Sequence, residues 1–499
     1  MRTSSPLPNA ARELASYLVA EGFTADSIAA HLGPDATAAL YRGEPGVVKH
    51  SLRDDSTLSR LIAFFILREP TPVSQLADVP HLEHFSLIDD SLARPAFDIR
   101  PHVIAGQEHL VISDLDASMT DIVPGPDHVL GVGAASLSLL SATPLSPARR
   151  VLDLGTGSGV QALAQARVAE SVIATDVHPR AIELAEATMA ANGVTNVELR
   201  QGSWFEPVAG ETFDRIVANP PFVVGLPDVG HVYRDSGLNL DDASALVVST
   251  APEYLDEGGT AFILASWIHT ADSPWENRVA SWVPSSSVSA WVCQRDVVDP
   301  GMYVSTWLKD ESIDLRSPEG IERTQRWLDH FEEAGVTGIG FGWVFLRAIG
   351  DEPSEVYTND LSHPFTDPLG PEVEDFFTRV GWLRGVNATD MLSARYAVRP
   401  GVALEDISLS DETSGMGFAP TVKRLTRTEG PRFSREVDDA LAAIVSGLHP
   451  NGLPLEDVVE LWGCAHDAVS DTGTLALQAT EALADLIRHG FIIPDDLLK

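Results

Sequence analysis

Cysteine is nearly absent: the 499 residues hold two, Cys293 and Cys464. So far apart in the chain, they supply neither a zinc ligand cluster nor a disulfide framework, and no metal is expected. Positive charge is the second shortage, with 34 Lys and Arg against 72 Asp and Glu and a formal charge of −38. A protein that grips a phosphate backbone needs a basic surface to displace counterions, so the chain as a whole repels nucleic acid. One local exception lies in residues 423–435, where Lys423, Arg424, Arg427, Arg432 and Arg435 stand against the single acid Glu429. It reads as a solvated loop or as a substrate-docking strip. Long apolar runs are missing too. The longest, residues 61–67, is far below the roughly 20 residues that cross a bilayer. The opening MRTSSPLPNA lacks the apolar centre of a secretory signal. A cytoplasmic address and no membrane partner are the expectation.

What is present is a globular composition, 44% hydrophobic and 21% charged, at a length that suggests about three domains of roughly 150 residues. Apolar positions in ARELASYLV and LSRLIAFFIL recur at three and four, with Gly22, Gly33 and Gly43 as punctuation. That spacing predicts helices over residues 8–70 and an N-terminal helical domain over 1–88. Residues 97–115 alternate like two strands joined at Ala105 and Gly106, and a helix is expected over 130–140. From Arg150 the pattern becomes strand, glycine loop, helix, strand, helix, strand, which marks a parallel sheet with crossover helices.

Strands are expected at 150–154, 171–176, 197–201, 215–218, 260–266, 288–294 and 338–347. They define an α/β, Rossmann-like domain of seven strands over 89–350. An insertion at 302–336 is expected to decorate one end of the sheet. Residues 350–372 read as a linker and 408–420 as a loop. The C-terminal domain, 360–499, is expected to be mainly helical, and its three last helical segments end in His489-Gly490 and a short strand, similar to a winged helix.

Three motifs carry chemistry. In Val151-Leu152-Asp153-Leu154-Gly155-Thr156-Gly157-Ser158-Gly159 an apolar strand runs into a glycine loop and then a helix. Glycine is needed where the backbone turns sharply and a ligand lies against it with no Cβ in the way. A tight turn, a dinucleotide site and another nucleoside site all share this logic. About 20 residues on, Asp176 ends the next strand in Ala174-Thr175-Asp176-Val177-His178-Pro179. A carboxylate there accepts hydrogen bonds from both hydroxyls of a ribose, although a helix dipole alone also favours an acid at that place.

The third motif is Ile216-Val217-Ala218-Asn219-Pro220-Pro221-Phe222. Prolines end a sheet ladder, so the carbonyls of Asn219 and Pro220 are left as free acceptors. Together with the Asn219 amide oxygen and the flat face of Phe222 they describe a pocket that holds a planar NH2 group by two hydrogen bonds and a stack.

These residues resemble the class I S-adenosylmethionine-dependent methyltransferases with an Asn-Pro-Pro-Phe/Tyr motif. That group includes the HemK release-factor glutamine methyltransferases and several RNA guanine and adenine N-methyltransferases. The likeness covers residues 151–222, and Gln201-Gly202-Ser203-Trp204-Phe205-Glu206-Pro207 is similar to the HemK segment after the third strand. It implies S-adenosyl-L-methionine as cofactor, held by Asp153, Gly155, Thr156, Gly157, Gly159, Asp176, Val177, Gly202, Ser203, Trp204 and Asn219. It implies Asn219, Pro220, Pro221 and Phe222 as the catalytic group. Two positions depart from the pattern. HemK-like enzymes commonly carry an acid where Ser203 stands, and the RNA guanine enzymes often have His where Val223 stands.

The resemblance implies an N-methyltransferase with a macromolecular substrate. A protein glutamine side chain is favoured by the HemK-like segment and by the charge; a ribosomal or transfer RNA base is the alternative. A cofactor-binding scaffold without turnover is the reading of another class, and the intact Asn219 to Phe222 run argues against it. His231, Tyr233, Arg234 and Asp235 follow as a lid or as an ordinary polar loop, and Gly131 and Gly133 bring a helix close to the cofactor or to its packing neighbours. The tryptophans read as core, and His449, His466 and His489 as surface or loop residues.

Overall fold

A computed structural model describes residues 6–116, 119, 124–227, 236–361, 364–365, 367–466 and 472–498. Two compact units divide the chain at Asp360 and Leu361. The first begins with helices α1 (Leu7–Ala20), α2 (Ala25–Leu32), α3 (Pro34–Tyr41), α4 (Pro45–Ser51) and α5 (Thr57–Leu61). Along α1 the buried positions are Leu7, Ala10, Ala11, Leu14, Ala15 and Leu18, a single stripe at helical spacing. A small sheet of β1 (Thr71–Pro72), β2 (Ser86–Asp89) and β3 (Leu92–Pro95) follows, with the short helix α6 (Leu82–Phe85) between its first two strands. The hairpin read from the alternation is β4 (Asp98–Ile104) against β5 (Gln107–Ser113), turning at Ala105 and Gly106.

Helix α7 (Ala134–Ala142) then leads to β6 (Ala148–Leu154), α8 (Val160–Ala166), β7 (Ala169–Asp176), α9 (Pro179–Ala191), β8 (Val197–Gln201) and β9 (Phe213–Ala218). The helix expected at 130–140 starts four residues later, with Gly133 as its N-cap, because Gly131 and Gly133 are poor helix formers and keep the preceding segment extended. After α10 (Asp242–Thr250) come β10 (Leu255–Thr270), α11 (Trp275–Ala280), β11 (Ser286–Val298), α12 (Pro300–Asp310), α13 (Pro318–Glu333), β12 (Val336–Pro353) and β13 (Glu355–Asp360).

Among the described residues the central sheet runs β13-β11-β12-β10-β9-β6-β7-β8. Strands β6 to β10 pair in parallel, β12 runs antiparallel to both β10 and β11, and β13 lies parallel to β11. All seven expected strands are present, and β13 is an eighth where a linker was expected. Its sequence, Glu-Val-Tyr-Thr-Asn-Asp, has no apolar alternation. Side-chain bonds fix it instead: Ser289 Oγ to Glu355, Trp291 Nε1 to Asn359 at 2.8 Å, and Gln294 Nε2 to Asp360. The central strands are apolar on both faces, as in Val151, Leu152 and Leu154 or Val172, Ile173 and Ala174, the pattern of a sheet covered by helices on both sides. The N-terminal helices share a core with the sheet's helices, since Leu14 and Phe23 belong to one cluster with Ala181, Leu184 and Ala187 of α9.

The insertion at 302–336 is a helix pair. Asp299 caps α12 by accepting from Met302 N at 2.9 Å, and Ser317 caps α13 by accepting from Gly320 N at 3.0 Å. Trp327, Phe331 and Tyr303 from this pair bury Val223 and Val224, so the insertion packs directly on the chain that leaves β9.

In the second unit, α14 (Gly370–Gly385) and α15 (Ala388–Ser393) precede β14 (Tyr396–Val398), β15 (Val402–Ser410), β16 (Phe418–Arg427) and β17 (Ser434–Glu436). Helices α16 (Asp439–Gly447), α17 (Leu455–Ala465) and α18 (Thr472–Arg488) follow, then β18 (Ile492–Pro494), which pairs with β14. The stretch expected as a loop at 408–420 is the end of a hairpin, β15 against β16. Its strands pair charge to charge, Glu405 opposite Arg424 and Asp406 opposite Lys423, a register that hydrophobic alternation does not reveal.

The same pairing settles the basic strip. Lys423 bonds Asp439 at 2.7 Å, Arg424 meets Glu405, Arg435 meets Asp485 at 2.9 Å, and buried Arg427 meets buried Glu372 at 2.7 Å. Those four cations are engaged within the unit. His489, expected on the surface or in a loop, stands in the turn after α18, where it is buried against Phe433 and bonded to Arg435 at 2.9 Å.

Candidate active site

A cleft of about 630 Å³ opens where the chain leaves β6, β7, β8 and β9. From β6 the chain moves outward to β7 and β8, then returns to place β9 on the other side of β6. The cleft thus sits at the carboxyl edge of a parallel sheet at its topological switch point, where such sheets bind ligands. Its floor is Gly155 to Ser158, with Asp176 to His178 and Gly202 to Trp204 on one side and Asn219 to Val223 on the other. Asp127 to Leu130, Gly133 to Ser136, Trp307 and Asp310 close the rim.

The glycine loop is held from below. Gly155 and Thr156 donate their N–H groups to the carbonyl of Thr175 at 3.0 and 2.8 Å, which welds the loop to β7. Gly155, Gly157 and Gly159 all have positive φ, at 75°, 54° and 89°, the region that favours glycine. A Cβ on Gly157 meets no atom within 4 Å and would project into the cleft. At Gly159 the constraint is packing, because a Cβ would lie 2.7 Å from Met189 Cε.

Two carboxylates shape the site differently. Asp153 is 1% exposed and accepts from Thr156 Oγ1 at 2.6 Å and from Ala162 N at 3.0 Å, both on Oδ2. Burial pushes its carboxyl up to about 7, against the pull of those two bonds. Asp176 accepts from Gly157 N at 3.0 Å on one oxygen and His178 N at 2.9 Å on the other. Its carboxyl is also raised by burial, opposed by the same N–H groups. A carboxylate has about four acceptor directions, so Asp176 keeps some to offer to the cleft.

On the opposite wall the Pro220-Pro221 pair stops the β9 ladder. No turn or loop N–H among the described residues donates to the carbonyl of Asn219 or Pro220. The side-chain oxygen of Asn219 is buried and has no hydrogen-bond partner among the described residues, an arrangement that native structures rarely leave without a ligand or water. Phe222 packs at 5.1 Å on Phe341, and its carbonyl accepts from Ser266 Oγ. Next along the chain, buried Val224 N donates to Tyr303 Oη of α12 at 2.8 Å, and a Cβ on Gly225 would lie 2.8 Å from Trp327. The insertion therefore fixes the wall that carries Asn219.

The cleft brings together a glycine cradle, a buried acid with acceptor capacity to spare and a wall of acceptors without described partners, a set that suits a nucleoside. Comparison with known proteins agrees. The chain is 35% identical over 208 residues to the release factor glutamine methyltransferase of Yersinia pestis, a match that covers 39% of this chain and 70% of that protein. This chain belongs to the class I S-adenosylmethionine-dependent methyltransferases. A family model described as a methyltransferase small domain matches residues 130–273 of the methyltransferase, and two others, each described as a domain of unknown function, match 20–100 and 374–494. The release factor glutamine methyltransferase of Xylella fastidiosa (strain 9a5c) is 37% identical over 133 residues, 24% of this chain and 47% of that protein. The methyltransferase thus spans about half the length of that relative. The solved 16S rRNA N2 G1207 methyltransferase of T. thermophilus is 19% identical, covers 48% of this chain and 63% of its own, and superposes with a TM-score of 0.28.

Of the residues expected at the site, Gly155, Thr156, Gly157, Asp176, Val177, Gly202, Ser203, Trp204, Asn219, Pro220, Pro221 and Phe222 line the methyltransferase cleft. Asp153 and Gly159 do not: the first is buried beneath the loop, and the second starts α8 with its missing Cβ turned to Met189. Among the lid candidates, His231, Tyr233, Arg234 and Asp235 lie outside the described residues. Gly131 and Gly133, weighed between ligand and packing, both line the cleft; a Cβ on Gly131 would sit 2.7 Å from Ser113 Oγ, whereas one on Gly133 would meet no atom within 4 Å. Sequence reasoning missed Gln161, Thr175, Trp307 and Asp310. Nothing in their local pattern marks them; α12 reaches the rim through tertiary packing, and Gln161 reads as an ordinary helical position.

Proposed function

We propose that the chain is an N-methyltransferase that uses S-adenosyl-L-methionine to methylate the side-chain amide of a glutamine in a protein, in the cytoplasm. The observation that carries this reading is the buried Asn219 Oδ1 beside the carbonyls of the Pro-Pro turn, none of which has a hydrogen-bond donor among the described residues. When bound, the cofactor supplies a methyl group on a positively charged sulfur. An amide nitrogen is a poor nucleophile because its lone pair is delocalised. The residues of the Asn219 wall accept from its NH2 group, orient it and stabilise the positive charge that develops on nitrogen in a site shielded from water. Positioning supplies most of the rate, so no strong general base is needed. Asp176 would hold the ribose, the 155–157 backbone would lie against the cofactor, and Gly202 to Trp204 would flank its base.

The protein substrate is favoured over RNA by charge. The described residues lining the cleft include Asp127, Asp176 and Asp310 but no Lys or Arg, which suits a polypeptide better than a phosphate backbone. The named relatives act on release factors, which makes a protein of that kind the first substrate to try. No helix of the described residues is long and apolar enough to cross a membrane. Incubation of the purified chain with methyl-labelled S-adenosylmethionine and a fractionated cell extract tests the proposal. Label is expected in protein, as N5-methylglutamine after enzymatic digestion; label confined to RNA would overturn the substrate assignment.

A further inference from the structure

We propose that the N-terminal helical layer carries a site for a divalent transition-metal ion of the zinc class, formed by His81, Glu83 and His84 at α6 and by Glu13 of α1. None of the four lines the cleft, and the site does not depend on the cofactor reading. His81 stands directly before α6 and His84 lies on it, three positions on, close to one helical turn. Their rings are 6.0 Å apart between centroids and 35° from parallel. His81, Glu83 and His84 each offer a ligand atom, and the three atoms lie within 4.8 Å of one another. Glu13 arrives from a distant part of the chain, with its Oε2 at 2.9 Å from His81 Nε2.

The spacing matches a coordination shell. Nitrogen and oxygen ligands held at about 2.0–2.1 Å by a tetrahedral zinc sit roughly 3.3 Å from one another. The His81–Glu13 pair stands at 2.9 Å, and the His84–Glu83 pair, Nε2 to Oε1, at 4.0 Å. All four side chains are partly or largely open to water, so rotations about their own bonds close the difference and water completes the shell.

Charge and ligand type name the ion. Among the described residues neither Glu13 nor Glu83 has a Lys or Arg within ion-pair distance; the ion-pair partner of each is a histidine. With neutral imidazoles the group carries two negative charges, which a divalent ion cancels. Calcium and magnesium take oxygen ligands, whereas imidazole nitrogen with carboxylate oxygen suits zinc, nickel, cobalt or copper. The scarcity of cysteine excludes thiolate sites and leaves this donor set untouched. An ion bound here ties α1 to α6. Leu14, next to Glu13, and Phe85, next to His84, are buried in one core with Ala181, Leu184 and Ala187 of α9, so the ion braces from outside a layer that these side chains pack from within. Its role is structural, coupled to folding rather than to methyl transfer.

The test is calorimetric titration of the full chain with zinc chloride after treatment with a chelator and its removal. Micromolar binding is expected, together with a melting temperature that rises with zinc concentration. Losing a group that merely orients a metal ligand already costs roughly 10–100-fold in affinity, so His81→Ala and His84→Ala are each expected to cost at least about tenfold. Glu13→Gln keeps both rings and the shape of the side chain, and serves should an alanine variant fail to fold; it too is expected to weaken zinc by about tenfold. His449→Ala, in the other unit, is expected to leave binding unchanged. Cobalt(II) in place of zinc is expected to give a visible absorption band that zinc abolishes and that the His81 and His84 variants lack. No binding up to millimolar zinc, or wild-type affinity in the His81 and His84 variants, would overturn the site; wild-type affinity in Glu13→Gln would overturn the tie to α1.

Discussion

The backbone N–H of Gly157 donates to Asp176 Oδ2 at 3.0 Å, so the loop after β6 and the acid ending β7 form one unit. Asp176→Ala removes that tie and the proposed ribose acceptor together. It is expected to weaken S-adenosylmethionine binding by about ten- to a hundredfold, read by calorimetry beside a thermal melt. Wild-type affinity in the variant would end the ribose assignment.

Asn219→Ala separates binding from chemistry. Asn219 lines the cleft and is proposed to act on the acceptor nitrogen, so cofactor affinity is expected to stay within about threefold while turnover drops by about a hundred- to a thousandfold, the scale seen when one preorganised polar group is removed. Single-turnover transfer to the protein substrate measures it, and normal turnover would sink the role.

Asp153→Asn tests the buried acid beneath the loop. An unfolded Asp titrates near 3.9, whereas burial pushes Asp153 up to about 7. Between about pH 4 and 7 the unfolded chain gives up a proton that the fold retains, so this residue makes stability fall as pH rises through that window. Asparagine keeps an oxygen for Thr156 and Ala162. Denaturant unfolding at pH 4.5 and 8 is expected to show the wild type losing ground to the variant at the higher pH; a constant difference would contradict the raised carboxyl.

Tyr303→Phe uncouples the insertion from the acceptor wall. It strands the buried N–H of Val224 and is expected to cost about 1–3 kcal/mol of stability. KM for the protein substrate is expected to rise while cofactor affinity stays unchanged, because Tyr303 is not among the described residues that line the cleft and its hydroxyl is bonded to the chain after Phe222. A shift in cofactor affinity instead would place the insertion's influence on the wrong side of the cleft.

The parts legible from sequence were those whose chemistry is local. Gly155, Asp176 and Asn219 each end a strand whose apolar run announces it, so spacing alone put them at one sheet edge. Asp153 was grouped with the cofactor ligands because it belongs to the same motif, but a strand alternates its faces and its carboxylate points under the loop to Thr156. Trp307 and Gln161 were invisible for another reason: their place in the cleft depends on how α12 and α8 pack, and packing leaves no periodic trace. Strand β13 and the hairpin of β15 and β16 escaped because polar bonds and charge pairs, not apolar alternation, set their register.

Strand β13 also governs how the catalytic half can be made alone. It pairs with β11 from Ser289 to Gln294, beside Trp291, Val292 and Cys293. A chain cut near residue 350, where glycine and proline invite a cut, would leave that edge with a row of unpaired N–H and C=O groups flanked by apolar side chains, a template for self-association. The shortened protein would be lost to aggregates while every residue of its cleft was still in place; retaining residues through Asp360 keeps the edge covered.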